Sequence, residues 1–494
     1  MNAIATSTHP DPVTRAMPTH LALYYGGAWH APAGGFAATF NPATGQALAQ
    51  APQADAADVD AAVRAAQQGF RTWSQVPAAR RGALLREIAN RLRTHADELA
   101  LLDSANCGNP FKRMQPDAHN AAAQIDYYAG LVHELKGETI PTADGGLNYS
   151  VREPLGVVAR IVAYNHPLMF LAGKLAPVLA AGNSVIMKAP DQAPLSALRF
   201  AEIVDGVLPP GVLNIVTGGR ECGEALVRHP LVKKVALIGS VPTGAAILRA
   251  AADKIMPVTL ELGGKNPLVV CPDADPDGAV LGAINGMNFT WAGQSCGSTS
   301  RLFVHESLYD RILDGICSKL PDLHRCGLPT DPATTMGCLI SQAQFDKVMG
   351  YIELARSEGA RLAYGGGRPA DPALAAGWFI EPTVFADVTP GMRIFREEVF
   401  GPVLSVIKWH DEDRLVADVN SVEYGLSASI YTRDLARAHR LARRIEAGYV
   451  WINTSSAHYT GANFGGYKKS GLGREEGLEE LLAYTQVKNV HVAL

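Results

Sequence analysis

Two apolar periodicities alternate along this chain, and the point where they change divides it. In the first third, apolar positions recur at helical spacing. Val59, Val63, Ala66 and Phe70 share one face of a helix predicted over Asp58–Trp73. Leu84, Leu85, Ile88, Leu92, Ala96 and Leu99 predict a second helix whose other face is rich in Arg and Glu, and Ala121–Leu135 a third. Strand-like pieces precede them at Leu21–Trp29 and Ala37–Asn41, and residues 1–20 read as a loose tail. From Leu147 short apolar runs at Gly156–Ala163, Ser184–Lys188, Val212–Val216 and Lys233–Ile238 alternate with helices starting near Met169, Ser196, Cys222 and Pro242. That alternation implies βαβ units and a mainly parallel, doubly wound sheet, a fold that binds nucleotides at the carboxyl ends of its strands.

A second α/β series begins near Leu260. Strands are expected at Asn266–Val270, Arg301–His305, Val403–Lys408, Ser427–Tyr431 and Tyr449–Asn453, with helices from Asp275, Ser307 and Gln342. Tyr484–Leu494 alternates as a strand with no obvious partner in sequence, so it is expected to join another subunit's sheet.

The length, 494 residues, exceeds one ordinary core and implies two or three domains. A net charge of −4 gives no reason to expect nucleic acid or an anionic membrane as partner. The seven cysteines are odd in number and form no CxxC pair, which argues against a disulfide framework or a metal site and for a reducing compartment. No apolar signal core opens the chain, and Lys174, Asn183 and Lys188 interrupt its most apolar region. A cytoplasmic protein is expected.

One cysteine stands apart. Cys296 follows a predicted helix, in a small, polar loop where Gly293 and Gly297 let backbone approach a ligand closely. This is how a nucleophilic thiol is presented. Lys188 and Asp191 follow a strand end, where a cation and a carboxylate suit ribose hydroxyls. Gly239-Ser240-Val241-Pro242-Thr243-Gly244 ends a strand and opens a helix whose free N–H groups can hold a phosphate. Glu261, beside Gly263 and Gly264 between the two α/β series, is a candidate general base. No GxGxxG opens a strand–helix unit.

Several motifs in one order identify a resemblance. They are Asn41-Pro42-Ala43-Thr44-Gly45, Tyr164-Asn165-His166-Pro167, Glu261-Leu262-Gly263-Gly264-Lys265 and Gly293-Gln294-Ser295-Cys296. Glu397-Glu398-Val399-Phe400-Gly401-Pro402 and Phe464-Gly465-Gly466-Tyr467-Lys468-Lys469-Ser470-Gly471 complete the set. The chain resembles the aldehyde dehydrogenase superfamily from about Leu21 to Leu494. The resemblance implies an α/β fold with a Rossmann-like NAD(P)-binding domain over 21–136 and 156–264 and a catalytic domain over 265–465. It implies a β arm over 137–155 and 477–494 for a homodimer or homotetramer. It assigns Cys296 as nucleophile, Glu261 as base, Asn165 as oxyanion donor, and Lys174 with Glu475 as a pair in proton traffic. Lys188, Asp191, Gly223, Gly239, Ser240, Leu262, Glu398 and Phe400 fall on cofactor positions. The cofactor expected is NAD, and Asp191, a methylene shorter than a glutamate, leaves NADP open.

The implied activity is oxidation of a small-molecule aldehyde through a thioester. Tunnel positions carry Phe170, Gly173, Thr290, Trp291, His458, Tyr459 and Phe464, with Gly173 expected to widen the tunnel. No arginine is among them to clamp a second carboxylate, which favours a medium-sized apolar or aromatic aldehyde. His166 departs from the common family pattern and puts a titratable ring beside the oxyanion donor. The alternatives are an acylating relative that uses coenzyme A, which generally lacks the base matching Glu261, and a catalytically silent relative, which would have lost Cys296, Asn165 or Glu261.

Overall fold

The computed structural model describes residues 12–143 and 145–493. Two sheets carry the chain. The first has eight strands in the order Ala28–His30, Leu23–Tyr25, Leu213–Val216, Ser184–Lys188, Val157–Ile161, Val232–Ile238, Val258–Glu261 and Gly471–Leu472. Its five central strands are parallel, and antiparallel strands close it at either side. The chain runs outward from Val157–Ile161 first toward Ser184–Lys188 and later toward Val232–Ile238, so the winding reverses at that strand. Loops diverge at such a reversal and leave a crevice at the strands' carboxyl ends. These central strands are buried on both faces, the expected consequence of helices packing on each side.

The second sheet has seven strands in the order Arg361–Tyr364, Thr383–Ala386, Val403–Trp409, Arg301–His305, Pro267–Val270, Ser427–Tyr431 and Tyr449–Ile452. All its pairings are parallel except that of Arg361–Tyr364 with Thr383–Ala386. A continuous core of Val, Leu, Ile and Phe side chains lies between this sheet and its helices. The face read from sequence for the helix at Pro276–Gly286 is the buried one, with Ala279, Val280, Ala283 and Ile284 in that core.

Three expectations are corrected. The single helix expected around Leu84–Leu99 is two, Ala78–Thr94 and Ala96–Cys107, broken at His95. The tail expected over 1–20 is ordered where it is described: Pro12–Ala16 is a helix with Ala16 buried, and the His20 N–H donates to Glu202 at 2.7 Å. Residues 1–11 lie outside the described residues. The terminal strand finds its partner within the chain: Thr485–Val492 pairs antiparallel with Leu147–Pro154 over its whole length, and Thr139–Pro141 adds a third strand. Among the described residues no helix is long and apolar enough to cross a membrane.

Candidate active site

Cys296 sits in a loop made rigid from several directions. Asn288, Ala292 and Gly293 all adopt left-handed backbone conformations, which turn the chain sharply around the short helix Phe289–Trp291. A methyl group at Gly293 would come within 2.1 Å of the Gly401 carbonyl oxygen, so only glycine allows this close approach. The Asn266 side-chain amide donates to the carbonyls of Cys296 at 2.7 Å and Ser298 at 3.0 Å, while its oxygen accepts from the Ser427 N–H at 3.1 Å. The Gln294 amide bridges to the backbone of Cys338 and Ile340. Neither Asn266 nor Gln294 was singled out for this role from sequence. Both act by tying the thiol loop to distant backbone.

The thiol opens into a cavity of about 320 Å³. Asn165 shares that cavity, and its side-chain amide makes no hydrogen bond among the described residues. The Asn109 amide donates to the Asn165 carbonyl at 2.8 Å, and Asp103 accepts from the Leu168 N–H at 3.1 Å, fixing the start of the helix that follows. Burial, and then the nearby carboxylates of Glu261, Glu398 and Glu476, push the Cys296 thiol up to about 12. In this state the sulfur is a protonated thiol.

Glu261 ends the strand Val258–Glu261, at the carboxyl edge of the first sheet. Both carboxylate oxygens are buried and neither has a hydrogen-bond partner among the described residues. A methyl at Gly465 would lie 2.7 Å from Glu261 Oε1, so glycine makes room for this carboxylate. Burial raises its pKa well above the ordinary value, the Glu475 charge adds to that, and Lys174 opposes it. Lys174 and Glu475 form an ion pair at 2.9 Å, inside a larger buried network. Arg160 reaches Glu475 at 2.8 Å and Glu480 at 3.3 Å, and the Tyr128 hydroxyl donates to Glu480 at 2.6 Å.

At the carboxyl ends of the first sheet, a crevice of about 510 Å³ is lined by Lys188, Asp191, Gly223, Thr243 and apolar Ile161 and Ile247. Gly239 and Ser240 form the turn just before Thr243; Ser240 caps the helix Val241–Ala252, its hydroxyl accepting from the Thr243 N–H. Leu262 is buried in the same domain, where a methyl at Gly244 would meet its side chain at 2.8 Å. Glu398 accepts from the Gly264 N–H at 2.9 Å, close enough to the thiol to act on its charge. Phe400 adopts φ 55 and meets Tyr164 edge-on at 6.1 Å.

Of the tunnel residues, Phe170, Trp291, His458 and Phe464 line the cavity. Gly173, Thr290 and Tyr459 do not. A methyl at Gly173 would strike Gln124 Oε1 at 2.4 Å, so the space is filled by Gln124 and the glycine widens nothing. Thr290 is buried, and Tyr459 is 64% exposed. The wall that sequence reading missed is one face of the helix Phe111–Gly130, with Asp117, Asn120 and Gln124. Its spacing of three and four residues is visible in the sequence, but its orientation is not.

Residues 29–490 match the Aldehyde dehydrogenase family. Aldehyde dehydrogenase tropH of Talaromyces stipitatus is 51% identical over 490 residues, covering 98% of this chain and 95% of that protein. The NAD+ complex of an aldehyde dehydrogenase from Bacillus cereus superposes with a TM-score of 0.94 at 37% identity, covering 99% of each chain. Betaine aldehyde dehydrogenase from Staphylococcus aureus, in complex with NAD+, does so with a TM-score of 0.94 at 34% identity, covering 97% of each. With the profile spanning nearly the whole chain and the fold shared end to end, the chain belongs to the aldehyde dehydrogenase family, oxidoreductases that act on aldehydes.

Proposed function

We propose that the protein oxidises a medium-sized apolar or aromatic aldehyde to its carboxylic acid with NAD, NADP remaining open, through a thioester on Cys296. The observation that carries this reading is the common cavity of Cys296 and Asn165, with an unpaired Glu261 carboxylate near enough to perturb the thiol.

The crevice at the first sheet fits a dinucleotide by its chemistry. Lys188 and Asp191 offer a donor and an acceptor beside apolar walls suited to an adenosine, and Ser240 begins a helix N-terminus suited to phosphate. Glu398, against Gly263 and Gly264, is placed to hold the second ribose. When bound, the dinucleotide supplies the hydride acceptor that converts a tetrahedral adduct into a thioester.

The chain's own residues do the rest. The Cys296 thiol must lose its proton to attack the aldehyde carbon, and Glu261 is the buried base within electrostatic reach. Attack turns the carbonyl oxygen into an oxyanion. The Asn165 amide, uncommitted among the described residues, and the Cys296 N–H are its donors; losing one such donor costs on the order of 100-fold or more in rate. Once Glu261 has released the thiol's proton to solvent, it takes a proton from water as that water attacks the thioester; the tetrahedral adduct expels the sulfur, Glu261 returns the proton to it, and the acid leaves with the thiol restored. Phe170, Trp291 and Phe464 supply apolar contact for the aldehyde's side chain. The β arm, Leu147–Pro154 with Thr485–Val492, presents Thr139–Pro141 as an exposed edge suited to a partner subunit in a homodimer or homotetramer.

Cys296→Ala tests the reading. NADH formation is expected to vanish across an aldehyde panel while the variant still binds NAD by calorimetry. Aldehyde oxidation that persists in the variant would overturn it.

A further inference from the structure

The cavity wall beside the oxyanion donor carries a polar device that the thioester chemistry does not use. His166 Nδ1 lies 2.7 Å from Asp117 Oδ2, and the Asp117 side chain is only 6% exposed. With Nδ1–H donating to Asp117, the carboxylate fixes the ring, and the neutral tautomer that makes this bond carries its lone pair on Nε2, an acceptor. The His166 ring makes no other hydrogen bond among the described residues, and both members of the pair line the cavity that holds Cys296. The ring is flanked by Phe170 and Trp291, each with its centroid 5.4 Å away, so an oriented acceptor sits among aromatic faces. The indole N–H of Trp291, buried in the same wall, has no acceptor among the described residues. Burying an oriented polar group without a partner is costly, and a ligand that satisfies it gains accordingly.

The wall also says what the ligand is not. Its charged members are Asp117 and Glu476, and no Lys or Arg lines the cavity, so an aldehyde bearing a carboxylate meets repulsion without a clamp. Both carboxylates already have a histidine as hydrogen-bond partner, Glu476 with His458 at 3.2 Å, so neither is free to serve as a dedicated partner for a cationic aldehyde. A volume of about 320 Å³ is at the small end of ligand sites and suits a single substituted ring.

We propose that the substrate is a hydroxylated aromatic aldehyde whose phenolic O–H donates to His166 Nε2, with Asp117 as the positioning residue. This rests on the aldehyde-oxidising reading above. A site built to hydrogen-bond a substrate hydroxyl discriminates strongly against the analogue lacking it. The test compares kcat/KM for the three monohydroxybenzaldehydes, benzaldehyde, the methoxy analogue of the best isomer, formylbenzoate, and a quaternary-ammonium benzaldehyde. The best hydroxy isomer is expected to exceed benzaldehyde and its methoxy analogue by roughly 10-fold or more. His166→Phe is expected to bring that ratio near one. Asp117→Asn, which keeps the shape but unsettles the tautomer, should lower it with less structural risk. Oxidation of all the neutral benzaldehydes at equal rates, an unchanged ratio in both variants, or preference for the carboxylate or the quaternary ammonium overturns this inference alone. Absence of NADH formation with every aldehyde overturns the aldehyde-oxidising reading itself.

Discussion

Glu475 and Glu261 are both buried carboxylates that feel the charge of the same lysine, Lys174, yet their surroundings are opposite. Glu475 touches Arg160 at 2.8 Å and Lys174 at 2.9 Å, and these cations hold its pKa below the ordinary carboxylate range despite burial. Glu261 has no hydrogen bond to either oxygen among the described residues, and its pKa rises. A paired buried charge is part of the scaffold, because removing either member strands the other. An unpaired one raises the free energy of its charged form and so is available for proton transfer. The two glutamates lie close enough for each to perturb the other, which makes them a matched experiment on what pairing does.

The largest effect is expected from breaking the paired site. Glu475→Gln leaves Arg160 and Lys174 facing Glu480 alone, and such uncompensated burial costs about 3–5 kcal/mol. Denaturant titration should show a large fall in midpoint. The same change at Glu261 removes a carboxylate with no partner to strand and should leave the midpoint unchanged or raised. Equal losses at both positions would contradict the distinction.

Activity should sort the other way. Glu261→Gln is expected to slow steady-state turnover by roughly 100-fold or more, the scale of a lost general base. A first-turnover burst of NADH that survives in the variant would confine Glu261 to thioester hydrolysis, and a burst lost with it would place Glu261 at thiol deprotonation as well. Its protonation inactivates it, so the wild-type rate should fall on acidification through a group titrating above the ordinary carboxylate range. That limb should be missing in the variant. Rapid-mixing absorbance across pH reads both, and an unchanged acid limb in Glu261→Gln would assign it to another group.

The contrast also marks where sequence reading succeeds. Strands such as Ser184–Lys188, Arg301–His305 and Ser427–Tyr431 coincide with their apolar runs, since buried parallel strands must be apolar on both faces. Arg361–Tyr364 and Thr383–Ala386 escaped notice, being four residues each and bounded by Gly and Pro. The break at His95 is invisible because the apolar spacing continues across it. The Cys296, Glu261 and Asn165 motifs are local in sequence and stand out. Asp117, Gln124 and Asn266 act across contacts of long sequence separation, and nothing in their neighbours announces it. Gly173 misled for the same reason: the volume it vacates is taken by Gln124, from another helix.

Lys265 extends the comparison to an unpaired cation. It is 1% exposed, its Nζ has no acceptor among the described residues, and Arg301 and Lys347 add their repulsion to its burial. Its pKa is pushed down to about 7 from the ordinary 10.5. Below about 7 the ammonium is charged in both folded and unfolded chains, and the fold bears the desolvation. Between there and 10.5 the unfolded chain holds the proton while the folded chain has released it. The unfolded state then binds more protons, so this group makes stability rise with pH, by at most about 1.4 kcal/mol per pH unit. Lys265→Met removes the titration and keeps most of the volume. Its denaturant midpoint should exceed the wild type's on the acid side and show a flatter rise toward alkaline pH. A parallel pair of profiles would mean that Lys265 stays charged in the folded chain and that its burial is matched by a partner after all.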